Sequence, residues 1–254
     1  MAIKMIVTDL DRTLLRDDKT VSGYTEETLS ELKRRGIPFV IATARPIRAV
    51  RRWLSFLRYD AAVFHNGAVV MLGGEVTGRS GLENTEGIAA DILKGIPGSR
   101  ITVEAGDWMY SNMRAEELWP GVQYTRTEDF SEVRGLMAEK VIIAASTLEE
   151  VAALEPYTPE GAYLQLSENT IAMMMNRSAT KLNGIRLLAE QYGLGLDETA
   201  AFGDDYNEID MLSACGVGVA VANALPEVKA AADEVCGSNE EDGVARWIRE
   251  NVLT

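Results

Sequence analysis

The chain has 254 residues, of which 46% are hydrophobic and 25% are charged, and this ordinary globular composition excludes a disordered or low-complexity protein. Its formal net charge of −14 argues against binding to nucleic acid or to an anionic membrane surface, because both partners need clustered positive charge. No apolar run approaches the roughly 20 residues that span a bilayer, and the amino terminus becomes acidic too early for a signal peptide, so we expect a cytoplasmic protein.

The first part of the chain alternates short apolar runs with segments that carry helical signals. We predict strands over residues 3–8, 37–42 and 61–64 and helices over residues 25–35 and 46–57. Ser22 and Thr25 are N-capping candidates for the first helix, Gly36 ends it, and Pro46 suits the first turn of the second helix. Strands and helices that alternate in this way predict parallel βαβ units in an open sheet with helices on both faces.

The pattern changes in the middle of the chain, where strands predominate. We predict helices over residues 85–93 and 148–154 and strands over residues 101–104, 108–111, 141–145, 162–166 and 170–175. Residues 146–149 have the sequence of a capping box that opens the second of these helices. The turn-like residues 167–169 predict that the last two strands form a hairpin, and the whole segment is typical of a separate α+β module.

The α/β alternation returns in the last third of the chain. A helix that ends at Gly193 and a strand over residues 200–202 are predicted there. The simplest architecture is therefore a discontinuous, doubly wound α/β core with a parallel sheet, formed by residues 1–82 and 178–254. A smaller α+β domain, residues 83–177, is inserted into it.

Polar side chains follow each predicted strand of the core at its carboxyl end, where open α/β sheets bind their ligands. They are Asp9 and Asp11 after the first strand, Thr43 and Arg45 after the second, Asn66 after the third, and Asp204, Asp205 and Asn207 after the late strand. Several carboxylates and one guanidinium therefore converge on one edge of the sheet. Carboxylate oxygens in this arrangement suit Mg²⁺, a hard ion that is held by few carboxylates together with water and substrate phosphate.

Cysteine and histidine are too scarce for a zinc site. The chain has two cysteines, Cys215 and Cys236, without a CxxC pair, and one histidine, His65. A thiolate or imidazole metal cluster is therefore not expected, nor is a disulfide. His65 is expected to be structural or to lie at the rim of a site.

Four motifs in order resemble those of the haloacid dehalogenase-like phosphatases. The run from Asp9 to Thr13, with the pattern D-x-D-x-T, resembles the first motif, and residues 43–45 resemble the second. Lys181 stands where the lysine of the third motif belongs, and residues 203–208 are similar to the fourth motif. An insert between the second and third motifs is typical of the Cof-type, type IIB capped subgroup, which includes sugar phosphatases and archaeal-type phosphoglycolate phosphatases.

The resemblance implies a reaction and a role for each motif residue. Asp9 would attack phosphorus to form an aspartyl-phosphate, and Asp11 would act first as general acid and then as general base. Mg²⁺ would be held by Asp9, the backbone carbonyl of Asp11, and Asp204, with Asp205 as a direct or water-mediated ligand. The phosphate and the rest of a small phosphate ester would be bound by Thr43, Ala44, Arg45, Asn66, Lys181 and Asn207.

The chain departs from the family's pattern at three positions. Arg12 stands where glycine is usual, and this places a cation or a bulky stem near the nucleophile. Glu208 stands where aspartate is usual, which changes its reach toward the metal. Ala44 replaces a frequent glycine and leaves the neighbouring hydroxyl and guanidinium intact.

Simpler roles compete with the functional ones for some of these residues. Thr43 could cap the helix that begins near Pro46, and Lys181, taken alone, could be a solvated residue near a helix start. Asp205 and Glu208 could do no more than favour the positive end of a helix.

Three other functions stay open from the sequence: a phosphomutase of the same superfamily, a phospho-accepting receiver-like module, and a catalytically silent binding protein. The sequence does not identify the substrate, and a homodimer is left open by an inserted domain of this size. We expect substrate selection to reside in the inserted domain. The candidates chosen there by residue type are Tyr110, Arg114, Tyr124, Arg126 and Lys140.

Overall fold

A computed structural model describes residues 2–167 and 170–254 of the chain and, for Trp53, the backbone alone. The chain folds into two compact units, one of which is discontinuous in sequence. The first unit comprises Met1–Arg79 and Thr180–Thr254, and the second comprises Ser80–Ala179.

The amino-terminal part of the first unit has the predicted alternation of strands and helices. Its elements are β1 (Met5–Thr8), α1 (Gly23–Arg34), β2 (Phe39–Ala42), α2 (Ile47–Trp53), β3 (Ala61–Phe64), β4 (Val69–Leu72) and β5 (Glu75–Arg79). Ser22 caps α1, since its side chain accepts a hydrogen bond from the backbone N–H of Thr25, and Gly36 follows the helix in the left-handed conformation that favours glycine.

The prediction for the second helix was too long. The predicted end at residue 57 is wrong, because the backbone leaves the helical conformation at Leu54. Leu54 and Leu57 are buried in the core, and a turn joins them through a hydrogen bond from the Leu57 N–H to the Leu54 carbonyl oxygen. In the sequence, the two leucines resemble the apolar face of a helix. In the structure, they are buried from a turn.

The second unit follows in the chain. Its elements are α3 (Thr85–Gly95), β6 (Ile101–Ala105), β7 (Trp108–Ser111), β8 (Thr125–Arg126), β9 (Ala138–Ala144), α4 (Leu148–Ala152), β10 (Ala162–Ser167) and β11 (Ile171–Asn176). The capping residue of α4 is Thr147, whose hydroxyl accepts a hydrogen bond from the Glu150 N–H, so the cap predicted at Ser146 is displaced by one residue. The sequence fits either register, because a glutamate stands three positions after both Ser146 and Thr147.

Strands of the second unit form a mostly antiparallel sheet, with the order β10–β11–β9–β6–β7–β8 over the described residues. β10 and β11 are antiparallel neighbours, as the hairpin prediction required. Residues 168 and 169 of the predicted turn lie outside the described residues. One face of this sheet packs with α3 and α4 around a hydrophobic cluster that includes Val103, Val141 and Met174.

The carboxyl-terminal part of the chain completes the first unit. Its elements are α5 (Lys181–Tyr192), β12 (Thr199–Gly203), α6 (Ile209–Ala214), β13 (Val217–Ala220), α7 (Pro226–Ala231), β14 (Glu234–Val235) and α8 (Gly243–Asn251). Thr180 caps α5 by accepting a hydrogen bond from the Asn183 N–H, and Gly193 ends it in the left-handed conformation.

One eight-stranded sheet runs through the first unit, with the order β14–β13–β12–β1–β2–β3–β4–β5 among the described residues. Pairing is parallel from β14 to β3, and β4 and β5 add an antiparallel edge that the sequence analysis did not predict. The central strands are buried along their whole length, as parallel strands with helices on both faces must be. The predicted doubly wound α/β class is confirmed.

The chain order of the strands shows where the direction of strand addition reverses in this sheet. From β1 the chain proceeds to β2 and β3 on one side, and it later returns to β12 and β13 on the other side. The topological switch point therefore lies beside β1, and open α/β sheets bind their ligands at such points, outside the carboxyl ends of the strands. Asp9 is the first residue after β1.

Within the described part of the chain, no helix combines the length and the apolar character needed to cross a membrane.

Candidate active site at the carboxyl end of the first strand

Asp9 is held by backbone and side-chain contacts at the end of β1. Its N–H donates to the carbonyl oxygen of Phe202 at 3.0 Å, which extends the pairing of β1 with β12 by one residue. The hydroxyl of Thr8 donates to the Asp9 carbonyl oxygen at 2.7 Å. Only 6% of Asp9 is exposed, so its carboxyl group is fixed in a mostly dry environment.

Lys181 faces Asp9 from the first residue of α5. Its Nζ lies 2.6 Å from Oδ1 of Asp9 and 2.5 Å from Oε1 of Glu208, and the residue is 2% exposed. Burial alone would lower the pKa of Lys181, but the two adjacent carboxylates raise it above its ordinary value. Lys181 is therefore a buried cation rather than the solvated residue that was the competing interpretation.

Two glycines explain how α5 comes close enough to place Lys181. A Cβ at Gly184 would lie 2.6 Å from Cγ1 of Val63, so glycine lets the helix pack directly on β3. A Cβ at Gly67, whose φ is +112°, would lie 2.2 Å from the carbonyl oxygen of Thr180. Real Cβ atoms do not approach so closely, and the loop after β3 can meet the start of α5 only without a side chain at this position.

Glu208 organises the loop after β12. Its Oε2 accepts hydrogen bonds from the N–H groups of Asp204 and Asp205 at 3.3 and 2.8 Å, while its other oxygen binds Lys181. Gly203 makes room for this arrangement, because a Cβ there would lie 2.5 Å from Cβ of Glu208. The longer side chain thus bridges the loop and the lysine. From this loop, it is Glu208 that contacts Lys181.

Asp204 receives a hydrogen bond that the sequence analysis missed. The hydroxyl of Thr13 donates to its Oδ1 at 2.7 Å, and both residues are buried. The signal was available, since Thr13 is the last residue of the D-x-D-x-T pattern, but its partner is 191 positions away. This bond connects the loop after β1 to the loop after β12.

Two carboxyl groups of the site, those of Asp9 and Asp204, resist ionisation. Burial raises the pKa of Asp9 to about 8, Glu208 adds to this effect, and Lys181 opposes it. Burial likewise raises the pKa of Asp204 to about 6, against the lowering effect of the Thr13 hydrogen bond. Carboxyl groups that resist ionisation because they are buried near other carboxylates are ready to receive a cation.

Mg²⁺ fits the chemistry of these donors. Asp9 and Asp204 offer carboxylate oxygens, and the Asp11 carbonyl is the backbone donor that the resemblance implies. Over residues 2–167 and 170–254, no three His, Cys, Asp or Glu side chains form a cage that would hold a metal ion by themselves. A site of two carboxylates suits an ion that keeps several waters and binds substrate phosphate.

Asp11 forms an ion pair with Arg45. Nε of Arg45 lies 2.6 Å from Oδ2 of Asp11, and Nη2 lies 2.6 Å from Oδ1. Lys19, which belongs to none of the four motifs, donates to the same Oδ1 at 2.8 Å. Although partial burial would raise the pKa of Asp11, the hydrogen bonds from Arg45 and Lys19 lower it below its ordinary value.

Thr43 lies at the end of the neighbouring strand β2. Its N–H donates to the carbonyl oxygen of Val63, and its hydroxyl accepts from the Arg45 N–H at 3.1 Å. The residue at the cap position of α2 is Pro46, so the helix-capping role considered for Thr43 is wrong. Ala44 is exposed beside it.

Asn66 and Asn207 meet at the exposed margin of the same edge. Nδ2 of Asn207 donates to Oδ1 of Asn66 at 3.2 Å. His65 and Asn66 both have positive φ angles, of 49° and 53°, which costs conformational energy for residues other than glycine. His65 is 1% exposed, so its expected structural role fits its position. Asp205, the remaining predicted ligand, uses its side chain to accept from the Tyr206 N–H.

The unusual Arg12 occupies a position whose backbone suits glycine. Its φ is +61°, in the left-handed region. Its carbonyl oxygen accepts a hydrogen bond from Nδ2 of Asn223 at 2.7 Å, which helps to hold the loop in that conformation. The side chain is exposed, and its charge lowers the pKa of Asp204 slightly against the larger effect of burial.

Four of the candidates predicted in the second unit pair with acidic neighbours in that unit. Arg114 pairs with Glu116 and Glu117, Tyr124 donates to Glu116, Arg126 pairs with Glu128, and Lys140 lies 3.6 Å from the buried Glu104. Tyr110, the fifth candidate, lies on β7 and packs against the hydrophobic cluster of that unit. Their role in substrate selection stays a prediction.

Comparisons with known proteins agree with the resemblance seen in the motifs. The family model described as haloacid dehalogenase-like hydrolase matches residues 6–248. The 5-amino-6-(5-phospho-D-ribitylamino)uracil phosphatase YitU of Bacillus subtilis is 28% identical over 263 residues, which cover 97% of this chain and 96% of the relative.

Two solved structures are also similar over nearly the whole chain. A haloacid dehalogenase-like hydrolase from B. subtilis has a TM-score of 0.81 at 26% identity, covering 97% of this chain and 99% of its own. A sugar phosphatase described as subclass IIB of the same superfamily has a TM-score of 0.81 at 25% identity, covering 97% of this chain and 98% of its own.

Proposed function

Because the chain belongs to the haloacid dehalogenase-like hydrolases and is an enzyme of the phosphatase type, we propose that it hydrolyses a small phosphate ester with Asp9 as the nucleophile and Mg²⁺ as the cofactor. The observation that carries this proposal is the buried contact between Asp9 and Lys181 at the switch point of the sheet. A carboxylate that must attack an anionic phosphoryl group needs a fixed cation beside it, and Lys181 is placed to bind the transferring oxygens.

In the first step, a carboxylate oxygen of Asp9 forms a bond to phosphorus, and the bond from phosphorus to the ester oxygen breaks. The electron pair of the broken bond goes to the leaving oxygen, which takes a proton from Asp11. Thr43 and Lys181 bind the phosphoryl oxygens during this transfer.

In the second step, water attacks the phosphorus of the aspartyl-phosphate. Asp11 removes a proton from that water, inorganic phosphate leaves, and the Asp9 carboxylate is restored. Asp11 enters this step as a carboxylate because it has given its proton to the leaving oxygen, and Arg45 stabilises that charge.

Asp9, the carbonyl oxygen of Asp11 and Asp204 would hold Mg²⁺, with Asp205 as a further direct or water-mediated ligand. The bound ion would neutralise charge on the phosphoryl oxygens. Thr13 would orient Asp204 for this purpose, and Glu208 would orient Lys181.

A phosphorylated sugar or polyol is the substrate class that we propose. Support comes from the names of two similar proteins, one acting on a phosphoribityl compound and one described as a sugar phosphatase. Phosphoglycolate, the other class considered from the sequence, belongs in the same test.

The test is Mg²⁺-dependent release of inorganic phosphate from a panel of sugar phosphates, polyol phosphates, phosphoglycolate and an aryl phosphate. Asp9→Asn is expected to abolish turnover, and so is a chelator, whereas Asp91→Asn on the exposed surface of α3 is expected to behave as wild type. Phosphate release that survives in Asp9→Asn would overturn the assignment of the nucleophile. Isomerisation without release would favour a phosphomutase, lasting phosphorylation without turnover a receiver-like module, and no reaction a silent binding protein.

A further inference from the structure

The loop over residues 15–20, which follows the first motif, has a closely defined conformation. The Arg16 N–H donates to the Thr20 carbonyl oxygen at 3.0 Å, and the Lys19 N–H donates to the Arg16 carbonyl oxygen at 2.9 Å. Asp18 accepts from both the N–H and the hydroxyl of Thr20. Lys19 has a φ of +67°, so the loop turns sharply at this residue.

Contacts with a distant part of the chain fix the position of this loop. Nδ2 of Asn239 donates to the Leu15 carbonyl oxygen at 3.0 Å and to Oδ1 of Asp17 at 3.1 Å. The Asp17 N–H donates to Oε1 of Glu240 at 2.7 Å. These contacts come from the segment just before α8 and anchor the part of the loop that precedes Lys19.

A third anchor lies at the start of α8. Nη2 of Arg16 lies 3.2 Å from Oδ1 of Asp242, and the Thr25 hydroxyl donates to the same oxygen at 3.3 Å. Asp242 therefore connects the loop to α1 as well as to α8. The loop is built as part of the unit and is not a free surface connection.

Lys19 projects from this anchored loop onto Asp11. Its Nζ lies 2.8 Å from Oδ1 of Asp11, the same oxygen that Nη2 of Arg45 approaches at 2.6 Å. Arg45 comes from the end of β2, so the carboxyl group lies between two cations on independently anchored segments. If either Lys19 or Arg45 were removed, only the other residue would hold the Asp11 carboxyl group.

We propose that Lys19 is a positioning residue that, together with Arg45, sets the orientation of the Asp11 carboxyl group toward the ester oxygen and the attacking water. The inference rests on the proposed function, in which Asp11 transfers protons in both steps. A general acid must lie within hydrogen-bond reach of the atom it protonates. A carboxyl group that has rotated away lies outside that reach. An ordinary surface ion pair at this place would contribute little.

The choice of leaving group distinguishes a positioning role of Lys19 from that of an ordinary surface ion pair. A nitrophenolate ion departs without a proton, whereas an alkoxide such as that of glycerol must be protonated as it leaves. Loss of Asp11 positioning therefore slows the transfer of phosphate from an alkyl ester and has little effect on transfer from a nitrophenyl ester. A general loss of folding or of phosphate binding slows both.

The experiment compares Lys19→Met, Lys19→Arg and, as a matched control on the exposed face of α1, Lys33→Met. Single-turnover mixing with glycerol phosphate and with nitrophenyl phosphate measures the rate of the first step. For Lys19→Met we expect a loss of about tenfold or more with the alkyl ester and less than about threefold with the aryl ester, on the scale of general acid catalysis. Lys19→Arg restores most of the alkyl rate.

Equal losses with both esters, or a Lys19→Met rate that matches Lys33→Met, would overturn the inference while leaving the proposed function intact. If the wild-type protein transferred phosphate from neither ester nor from any member of the wider panel, the proposed function would itself fail. The two failures are therefore separable in the same set of measurements.

Discussion

Nζ of Lys181 lies 2.6 Å from a carboxylate oxygen of Asp9, although 172 positions separate the two residues in the chain. Both side chains are almost completely buried, and Glu208 completes the group with a second contact to the same ammonium. The first unit therefore contains a charged group in its interior that is stable only while all three members are present.

Removal of Lys181 should destabilise the protein as well as inactivate it. Lys181→Met leaves Asp9 and Glu208 buried without their cation, and breaking a buried ion pair in this way costs about 3–5 kcal/mol. Urea unfolding at pH 7 measures the loss. Adding Glu208→Gln should recover part of it, because one uncompensated charge is then removed. A Lys181→Met protein as stable as wild type would contradict the description of the site.

Gly67→Ala should damage the site through the backbone. The new Cβ would collide with the Thr180 carbonyl oxygen, and we expect a loss of about 2–3 kcal/mol, as for other overpacked positions. Gly73→Ala is the matched control, since its φ is also positive at +59° but no atom lies within 4 Å of its Cβ position. Its cost should be limited to about 1 kcal/mol of left-handed strain.

The activity of Gly67→Ala distinguishes left-handed backbone strain, which Gly73→Ala shares, from displacement of the start of α5. Because Thr180 caps the helix that begins with Lys181, we expect kcat to fall in Gly67→Ala and to be unchanged in Gly73→Ala. Equal effects of the two substitutions on both thermal unfolding and kcat would argue against the close approach of the loop to α5.

Thr13→Val should weaken Mg²⁺ binding while preserving the shape of the side chain. It removes the hydrogen bond that orients Asp204 and that lowers its pKa. Loss of such an orienting contact weakens metal affinity by about 10-fold or more. Titration calorimetry at pH 7 measures the change in Mg²⁺ affinity. The control is Thr77→Val, which removes an exposed hydrogen bond donated by a hydroxyl on β5 and is expected to bind Mg²⁺ like wild type.

The stability of the metal-free protein should fall as the pH rises from about 4 to 8. The folded-state pKa values of Asp9, about 8, and Asp204, about 6, lie above the unfolded value of 3.8. In this window the native state retains protons that the unfolded state has released, so raising the pH favours unfolding.

Mg²⁺ should reverse this trend, because it binds the ionised carboxylates and its affinity rises with pH. Thermal unfolding at pH 6 and pH 8, with chelator and with Mg²⁺, tests both statements. We expect the Tm increase caused by Mg²⁺ to be larger at pH 8, and the difference to disappear in the Asp9→Asn, Asp204→Asn double variant. A larger increase at pH 6 would contradict the assignment of these two ligands.

Much of the architecture follows from patterns that are local in the sequence. Parallel strands buried on both faces appear as continuous apolar runs, and therefore β1, β2, β3 and β12 were predicted close to their observed positions. In the antiparallel edge, β5 was missed because it is largely exposed and lacks an apolar run, whereas β4 was not predicted although Val69–Leu72 is an apolar run.

The candidate site residues could be proposed for a similar reason, since the carboxyl ends of neighbouring parallel strands must meet at one edge. The contacts of Thr13, Lys19 and Glu208 could not be predicted in this way. Each depends on how closely two distant segments approach, and that distance is set by features such as the absent side chains of Gly67 and Gly203. Composition and periodicity carry no information about it.

The position of β1 in its sheet determines how long this strand waits for its partners during synthesis on the ribosome. One neighbour of β1 is β2, but the other is β12, and Lys181 leaves the ribosome 172 residues after Asp9. At translation rates of about 5–20 residues per second, that interval is roughly 10–30 s. Throughout that interval the nascent chain has an unpaired edge along β1, and Asp9 lacks the lysine that contacts it in the folded protein. The second unit, Ser80–Ala179, is continuous in sequence and is complete while the first unit still lacks β12, the central partner strand of β1.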